Sequence, residues 1–397
     1  MTPAEADAFA SASAAYVHIP FCSSVCPYCD FAVVAGRDDL IDRYVDGLIS
    51  EIQRSETWRP LDAVYFGGGT PSHVPPRALG KILAALSNVH GIADGAEISM
   101  EANPEDFAFD RARLLRRLGF NRVSFGAQSF DSEVLVSLGR RHDSDQIERS
   151  FWAARIAGFD NLSADLIFGT PGESAASWSD SLESATELGP DHVSCYSLTV
   201  ERGTPLGRAV SAGADAPDPD LQADMYESAQ RVLGDAGFTQ YEVSNWAKPG
   251  SECRYNLTVW AQGEYLAYGN GAHGHRAGVR YRNVRRIDAY LAAVEGGESP
   301  LSGSEEAEGW DAEVERMFVG LRRVAGIENG PGVEALLGSE DGRRLSEAGV
   351  IVHGNGRLRV ARPLLTDEVN RSVLDLDAPE GWAEDGAVDN VRPNRDS

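Results

Sequence analysis

Between Tyr16 and Thr199 short apolar runs alternate with longer amphipathic ones, and this alternation limits the possible folds of the 397-residue chain more than any other feature. The short runs lie at residues 15–19, 63–66, 97–100, 122–125, 162–168 and 193–200 and read as strands. Between the first two, Leu40, Ile41, Tyr44, Val45, Leu48, Ile49 and Ile52 fall on one helical face, with Asp38 and Asp39 placed to cap its start. Leu79, Ile82, Leu83 and Leu86 repeat the pattern before the third strand, and residues 154–158 read as a helix end before the fifth. Six strand-helix repeats require a parallel sheet, because parallel neighbours need a crossover between them. Two architectures meet that demand: a partial TIM-like (β/α)6 barrel and an open doubly wound sheet. Periodicity alone leaves both open.

Charge narrows the partners. Lys and Arg number 36 against 61 Asp and Glu, a formal net charge of -25, so a phosphate backbone is repelled and no nucleic acid is expected. Residues 1–14 lack Lys and Arg and carry no long apolar core, which argues against a signal or transit peptide. No run of 18 apolar residues exists, so no transmembrane segment is expected and a cytoplasmic setting follows. The cysteine count is five, an odd number. Three of them crowd into eight residues, which suits a metal site in a reducing compartment better than a disulfide framework.

The expected organisation is an N-terminal extension over 1–14, a barrel over 15–237, an aromatic and Gly-rich region over 238–300, a module over 310–376 and an acidic tail over 377–397. Residues 211–220 mark an exposed loop, 221–234 a helix and 295–309 the best linker. Helices are expected around Val314–Leu321, Val333–Leu337 and Leu345, followed by a hairpin turning at Gly354-Asn355-Gly356. That order suggests a winged-helix-like module. Its net charge of -2 over 311–376 favours a structural or docking role over DNA binding. The tail is expected to be disordered.

Directly after the first strand, Cys22-Ser23-Ser24-Val25-Cys26-Pro27-Tyr28-Cys29 sets three thiols at CxxxCxxC spacing. A loop at the C-terminal end of a barrel strand is where such folds keep their active sites, and three thiolates there suit three irons of a 4Fe-4S cluster, with the fourth iron left without a protein ligand. Zinc or plain buried thiols are the alternatives, but structural zinc wants four closed ligands. Cys195 and Cys253 stand alone and read as small buried hydrophobes. Gly67-Gly68-Gly69-Thr70 ends the second strand without bulk, so a ligand is expected to approach its backbone amides. Glu101 ends the third strand, Gln128 follows the fourth and Asp165 sits in the fifth; all three are expected to face one mouth.

Tyr16-Val17-His18-Ile19-Pro20-Phe21 before the cysteines, then Phe66-Gly67-Gly68-Gly69-Thr70-Pro71, Glu101-Ala102-Asn103-Pro104, Gly126-Ala127-Gln128-Ser129-Phe130 and Asp165-Leu166-Ile167-Phe168-Gly169 form an ordered set. In these motifs the chain resembles the radical S-adenosylmethionine (SAM) enzymes of the oxygen-independent coproporphyrinogen III dehydrogenase family, from about Tyr16 to Val360. The resemblance implies a 4Fe-4S cluster on Cys22, Cys26 and Cys29, an electron donor for it, and SAM bound at the open iron, where the cofactor pair does the hard chemistry and the protein positions and shields. It also implies that Tyr16, Gly68 and Glu101 contact one SAM. Tyr28, Gly69, Thr70, Gln128, Arg140 and Asp165 match positions facing a second SAM or the substrate.

One position bears on the branch. Dehydrogenases of the family continue to a fourth cysteine, CxxxCxxCxC, where this chain has Phe31, and they carry a longer N-terminal region. Both differences place the chain with the branch of heme chaperones, which bind heme and pass it to recipient hemoproteins. That branch shows His-Asn-x-x-Tyr-Trp where this chain reads Tyr255-Asn256-Leu257-Thr258-Val259-Trp260, so Tyr255 and His273 are the heme-ligand candidates, with Cys253 and His275 near in sequence. A coproporphyrinogen oxidase and a non-catalytic iron-sulfur or zinc module are the alternatives; the second leaves Glu101, Gln128 and Asp165 without a reason.

Overall fold

Six parallel strands stand side by side in chain order: β1 (Ser13–Ile19), β2 (Leu61–Gly68), β3 (Ile92–Ala102), β4 (Arg122–Gln128), β5 (Asn161–Phe168) and β6 (His192–Ser197). A doubly wound sheet reverses direction at a switch point; a sequential order with right-handed crossovers does not, and it lays every crossover helix on one side. The computed structural model, which describes residues 1–379 and 382, therefore has the (β/α)6 partial barrel. Its sheet has twelve strands. Beyond β6 run β8 (Asn245–Ala247) and β7 (Thr239–Glu242), antiparallel. On the other side of β1 comes β9 (Glu264–Tyr268), parallel to it, followed by β10 (His273–Arg276), β11 (Val279–Asn283) and β12 (Leu301–Glu306). The sheet runs from β12 to β7 without closing.

The helices form where the periodicity places them. Ile41–Arg54 buries Ile41, Tyr44, Val45, Leu48 and Ile52, and Pro76–Val89 starts on a proline that needs no amide partner in the first turn. Asp38 and Asp39 do not cap the first of these: they lie in a 3-10 turn, where Asp38 meets His73 at 3.0 Å and Asp39 meets Arg37 at 3.2 Å. Pro219–Asp235 is capped by Asp218, whose side chain accepts from the Asp220 and Leu221 amides. The core is apolar strand and helix faces, from Val17, Phe66 and Met100 to Leu166, Trp178 and Leu233.

The chain divides into two units, Met1–Ser304 and Glu305–Ser397, with the boundary inside the 295–309 stretch expected as linker. No separate unit begins at 238, because β7 to β12 extend the same sheet. The N-terminal segment carries a short helix, Pro3–Ala8, closed by a Thr2–Glu5 capping box, and Phe9 packs on Tyr241, Ala247 and Leu257. In the second unit the helices Gly309–Gly320, Pro331–Gly338 and Glu340–Glu347 precede a hairpin, Ile351–Gly354 with Arg357–Val360. Asn355 (φ 53°) and Gly356 (φ 73°) both take the left-handed conformation that a two-residue turn of this hand requires. A last helix, Thr366–Leu374, buries Val369 and Val373 against Met317, Leu336 and Leu358; no sequence pattern singled it out. Except for 377–379 and Trp382, the acidic tail lies outside the described residues. Among those described, no helix is long and apolar enough to cross a membrane.

Candidate functional site

The cysteine loop leaves β1 through a short parallel pairing of Phe21–Cys22 with Val34–Ala35, which ties the two ends of the loop together. It is tied to the strand ends as well. The Gly69 amide donates to Ile19 O at 2.8 Å and the Thr70 amide to Phe21 O at 2.9 Å. Inside, Leu206 N donates to Pro27 O at 2.8 Å, and Tyr28 packs on Val134, Leu138, Ile167 and Leu198.

The loop roofs a cavity of about 540 Å³ at the C-terminal ends of the parallel strands. Cys22, Cys26 and Cys29 line it together with Tyr28, Gly68, Gly69, Thr70, Glu101, Gln128, Arg140 and Asp165. Residues from six different segments thus meet at one mouth. All five cysteines are free thiols; Cys195 and Cys253 are buried elsewhere. Among the described residues no three His, Cys, Asp or Glu side chains converge as a single metal ion requires. A 4Fe-4S cluster takes one thiolate on each of three irons and lets the sulfurs stand apart. The donor set fits the cluster: Thr70 Oγ1 donates to Cys22 Sγ at 3.4 Å, and Arg140 Nη1 to Cys26 Sγ at 3.6 Å. Burial pushes the Cys22 thiol up to about 11 and raises Cys29, so iron must displace protons to bind.

Glu101, next to last in β3, has both oxygens engaged. Tyr65 OH donates to Oε1 at 2.8 Å and the Gly68 amide to Oε2 at 3.0 Å. Burial nevertheless lifts its pKa to about 7, with Asp165 adding to the rise. Asp165, also raised by burial, gathers Ser124, Ser163 and Ser194 hydroxyls on Oδ1 alone, at 2.9, 3.1 and 2.7 Å. Gln128 sits at φ 66° on a β-bulge, a strained conformation for a side chain that points a polar group into the cavity.

Two sequence expectations change in detail. The glycine turn does not offer free amides: those of Gly68, Gly69 and Thr70 all bond within the chain. The glycines are needed for packing. Gly68 has φ 113°, and a Cβ there would land on the His18 ring, while one at Gly69 would sit 2.8 Å from the Pro20 carbonyl. His18 is the wedge that fills this space. Its Nε2 donates to Ala32 O at 3.0 Å, so Nδ1 accepts from Tyr16 OH at 3.0 Å, and burial drops its pKa to about 4, keeping the ring neutral. Tyr16 itself does not line the cavity; it stacks on Tyr65 and Tyr255, one layer below Glu101.

Tyr255, on the helix Arg254–Trp260, lies in the barrel interior with its ring 5.1 Å from Tyr65 and edge-on to Tyr265. His273 is exposed on β10, and neither residue lines the cavity. His275 Nδ1 donates to Gly263 O at 3.0 Å. Sequence reasoning passed over Asn103, whose Oδ1 accepts from Arg140 Nη2 at 2.6 Å and whose Nδ2 donates to Thr70 Oγ1 at 3.4 Å. Its place two residues after Glu101, on the same mouth, was the available signal.

A half-barrel with three cysteines on the loop after its first strand defines a radical SAM protein, and residues 16–185 match the Radical SAM superfamily. The chain is 35% identical over 348 residues to the heme chaperone HemW of Bacillus subtilis, covering 85% of this chain and 92% of that one. It is 36% identical over 375 residues to the HemW of Mycobacterium tuberculosis, covering 90% and 94%. The chain belongs to the HemW family. Among solved structures, the coproporphyrinogen III oxidase HemN of Escherichia coli superposes with a TM-score of 0.79 over 93% of this chain and 92% of that one, at 23% identity, so the two share the fold.

Proposed function

We propose that this protein is a heme chaperone: it binds heme and transfers it to hemoproteins, in a reducing cytoplasmic setting. The observation that carries the reading is the likeness to two HemW heme chaperones over more than nine-tenths of their length. Phe31 supports it. Where the oxidase branch has a fourth cysteine, this chain sets a phenylalanine that is 70% exposed on the cavity rim.

In this reading Cys22, Cys26 and Cys29 hold a 4Fe-4S cluster that receives its electron from a separate donor. When bound, the cluster supplies an open iron for SAM and one-electron chemistry. The chain's own residues do the rest. Glu101, braced by Tyr65 and Gly68, and Tyr16 beneath it shape the first SAM subsite. Tyr28, Gly69, Thr70, Gln128, Arg140 and Asp165 shape the region for a second SAM or the substrate. The apolar loop residues Val25, Phe31 and Val33 shield the mouth from water. For heme, exposed His273 suits an incoming ligand better than Tyr255, whose phenol burial keeps protonated. The 310–376 module, winged-helix-like in its order of elements, serves docking.

The test is a heme titration of the anaerobically reconstituted chain. A saturable Soret shift is expected, with no protoporphyrinogen IX formed from coproporphyrinogen III in the presence of SAM and a reductant. Conversion of coproporphyrinogen without heme binding returns the chain to the oxidase reading.

A further inference from the structure

Each of the three cysteine sulfurs on the loop meets at least one hydrogen-bond donor, and the donors differ in charge. Cys22 takes the Thr70 hydroxyl, Cys29 the Phe31 amide, and Cys26 both the Tyr28 hydroxyl and the Arg140 guanidinium. Only the last is a full positive charge. We propose that Arg140, acting through the Cys26 sulfur, sets the one-electron reduction potential of the cluster, raising it by stabilising the added negative charge of the reduced state. This rests on the reading that Cys22, Cys26 and Cys29 hold a 4Fe-4S cluster.

The geometry is that of a fixed charge rather than a mobile side chain. Asn103 Oδ1 takes one Nη2 bond at 2.6 Å and Gly126 O another at 3.1 Å, leaving Nη1 directed at the sulfur. Arg140 Nε is buried and finds no partner, so the guanidinium is screened little by water. A guanidinium keeps its charge in a protein interior, so Arg140 presents a full positive charge to the Cys26 sulfur. Glu105 offsets part of the field, with its carboxylate turned to His142 Nδ1 at 3.2 Å. Hydrogen bonds and charges at the sulfurs are the levers by which a protein tunes an iron-sulfur potential. Asn103 bonds to both Arg140 and Thr70, and so orients two of these donors.

The oxidised cluster takes up one electron from dithionite through mediators, and an EPR-monitored titration of the full chain without SAM reads the reduced fraction. Arg140→Gln is expected to lower the reduced-to-oxidised ratio at a fixed potential at least tenfold, 59 mV for a one-electron couple. Arg140→Lys, which keeps the charge, should stay within threefold of the parent, and Thr70→Val should shift it in the same direction by less. A ratio unchanged within twofold in an iron-replete Arg140→Gln chain overturns the proposal, as does an equal shift in Arg140→Lys. If Arg140→Gln fails to hold iron, Asn103→Ala decides: unpinning the guanidinium should lower the ratio threefold or more, and no change overturns the proposal. A parent chain that binds no iron overturns the cluster assignment itself.

Discussion

The Gly68 amide donates to Glu101 Oε2 at 3.0 Å, so the turn that ends β2 is closed by the acid next to last in β3. Neighbouring parallel strands make this contact possible: Phe66 and Met100 are in register, which brings the next residues of both strands to the same height at the mouth. The carboxylate is spent on holding the turn before any ligand arrives, and its burial is the cost.

Glu101→Gln separates those two roles. Burial raises the folded pKa to about 7 from an ordinary 4.5, so between those values the unfolded chain ionises and the folded one does not. The residue's contribution to stability therefore falls as pH rises through that window and stays low above it. In the cluster-free chain Glu101→Gln should be more stable than the parent at pH 8, by on the order of 1–3 kcal/mol, with the gap closing toward pH 5. Chemical denaturation at the two pH values measures it. SAM affinity of the reconstituted variant should fall at least tenfold; equal affinity would place SAM elsewhere.

Gly68→Ala tests packing. The new methyl group would collide with His18 at a φ of 113°, so the variant should lose more than about 1 kcal/mol and expose the cysteine loop to proteolysis between Ala32 and its anchor. Unaltered stability would mean that His18 can vacate the space.

Iron analysis tests the cluster. The reconstituted chain should carry about four irons and four sulfides, and Cys26→Ala should lose most of them. Full iron in that variant, or zinc in the native protein, would defeat the assignment.

Two variants separate the candidate heme ligands proposed above. His273→Ala should weaken the heme-induced Soret shift, whereas Tyr255→Phe should leave it intact and change stability by less than about 1.5 kcal/mol, since ring packing is retained. The reverse pattern would move the ligand into the barrel interior.

The strand-helix alternation made β1 to β6 legible, and the cysteine spacing with Glu101, Gln128 and Asp165 made the mouth legible, because each of these residues lies at the end of, or within, a strand that periodicity locates. Strand order decided between barrel and doubly wound sheet, and order is a long-range property that no window of sequence contains. The same holds for β9, five residues inside the aromatic and Gly-rich region that show as a strand only once β1 is placed beside them. Arg140 sits in a Gly-Arg-Arg-His run, a local pattern that a surface arginine fits as well. Its engagement with Cys26 depends on Asn103, 37 positions earlier. The glycine turn lines the cavity as expected of a ligand-facing turn, but its amides bond within the chain and the space beside Gly68 is filled by His18.

The placement of β1 between β2 and β9 bears on how the protein is made. Val17 pairs with Phe66 on one side and Tyr268 on the other. At roughly 5–20 residues per second, the ribosome delivers that second partner some 10–50 s after the first strand emerges. Throughout that interval the nascent chain carries the cysteine motif on a strand with one bare edge, open to mispairing with other chains. The bed of the loop is likewise incomplete, because Tyr44 OH, which holds His18 O at 2.9 Å, also awaits Asn270. Iron delivered before residue 270 has emerged would meet thiols without their scaffold, so cluster loading belongs after translation of the first unit, and a chain halted near residue 237 should aggregate rather than bind iron.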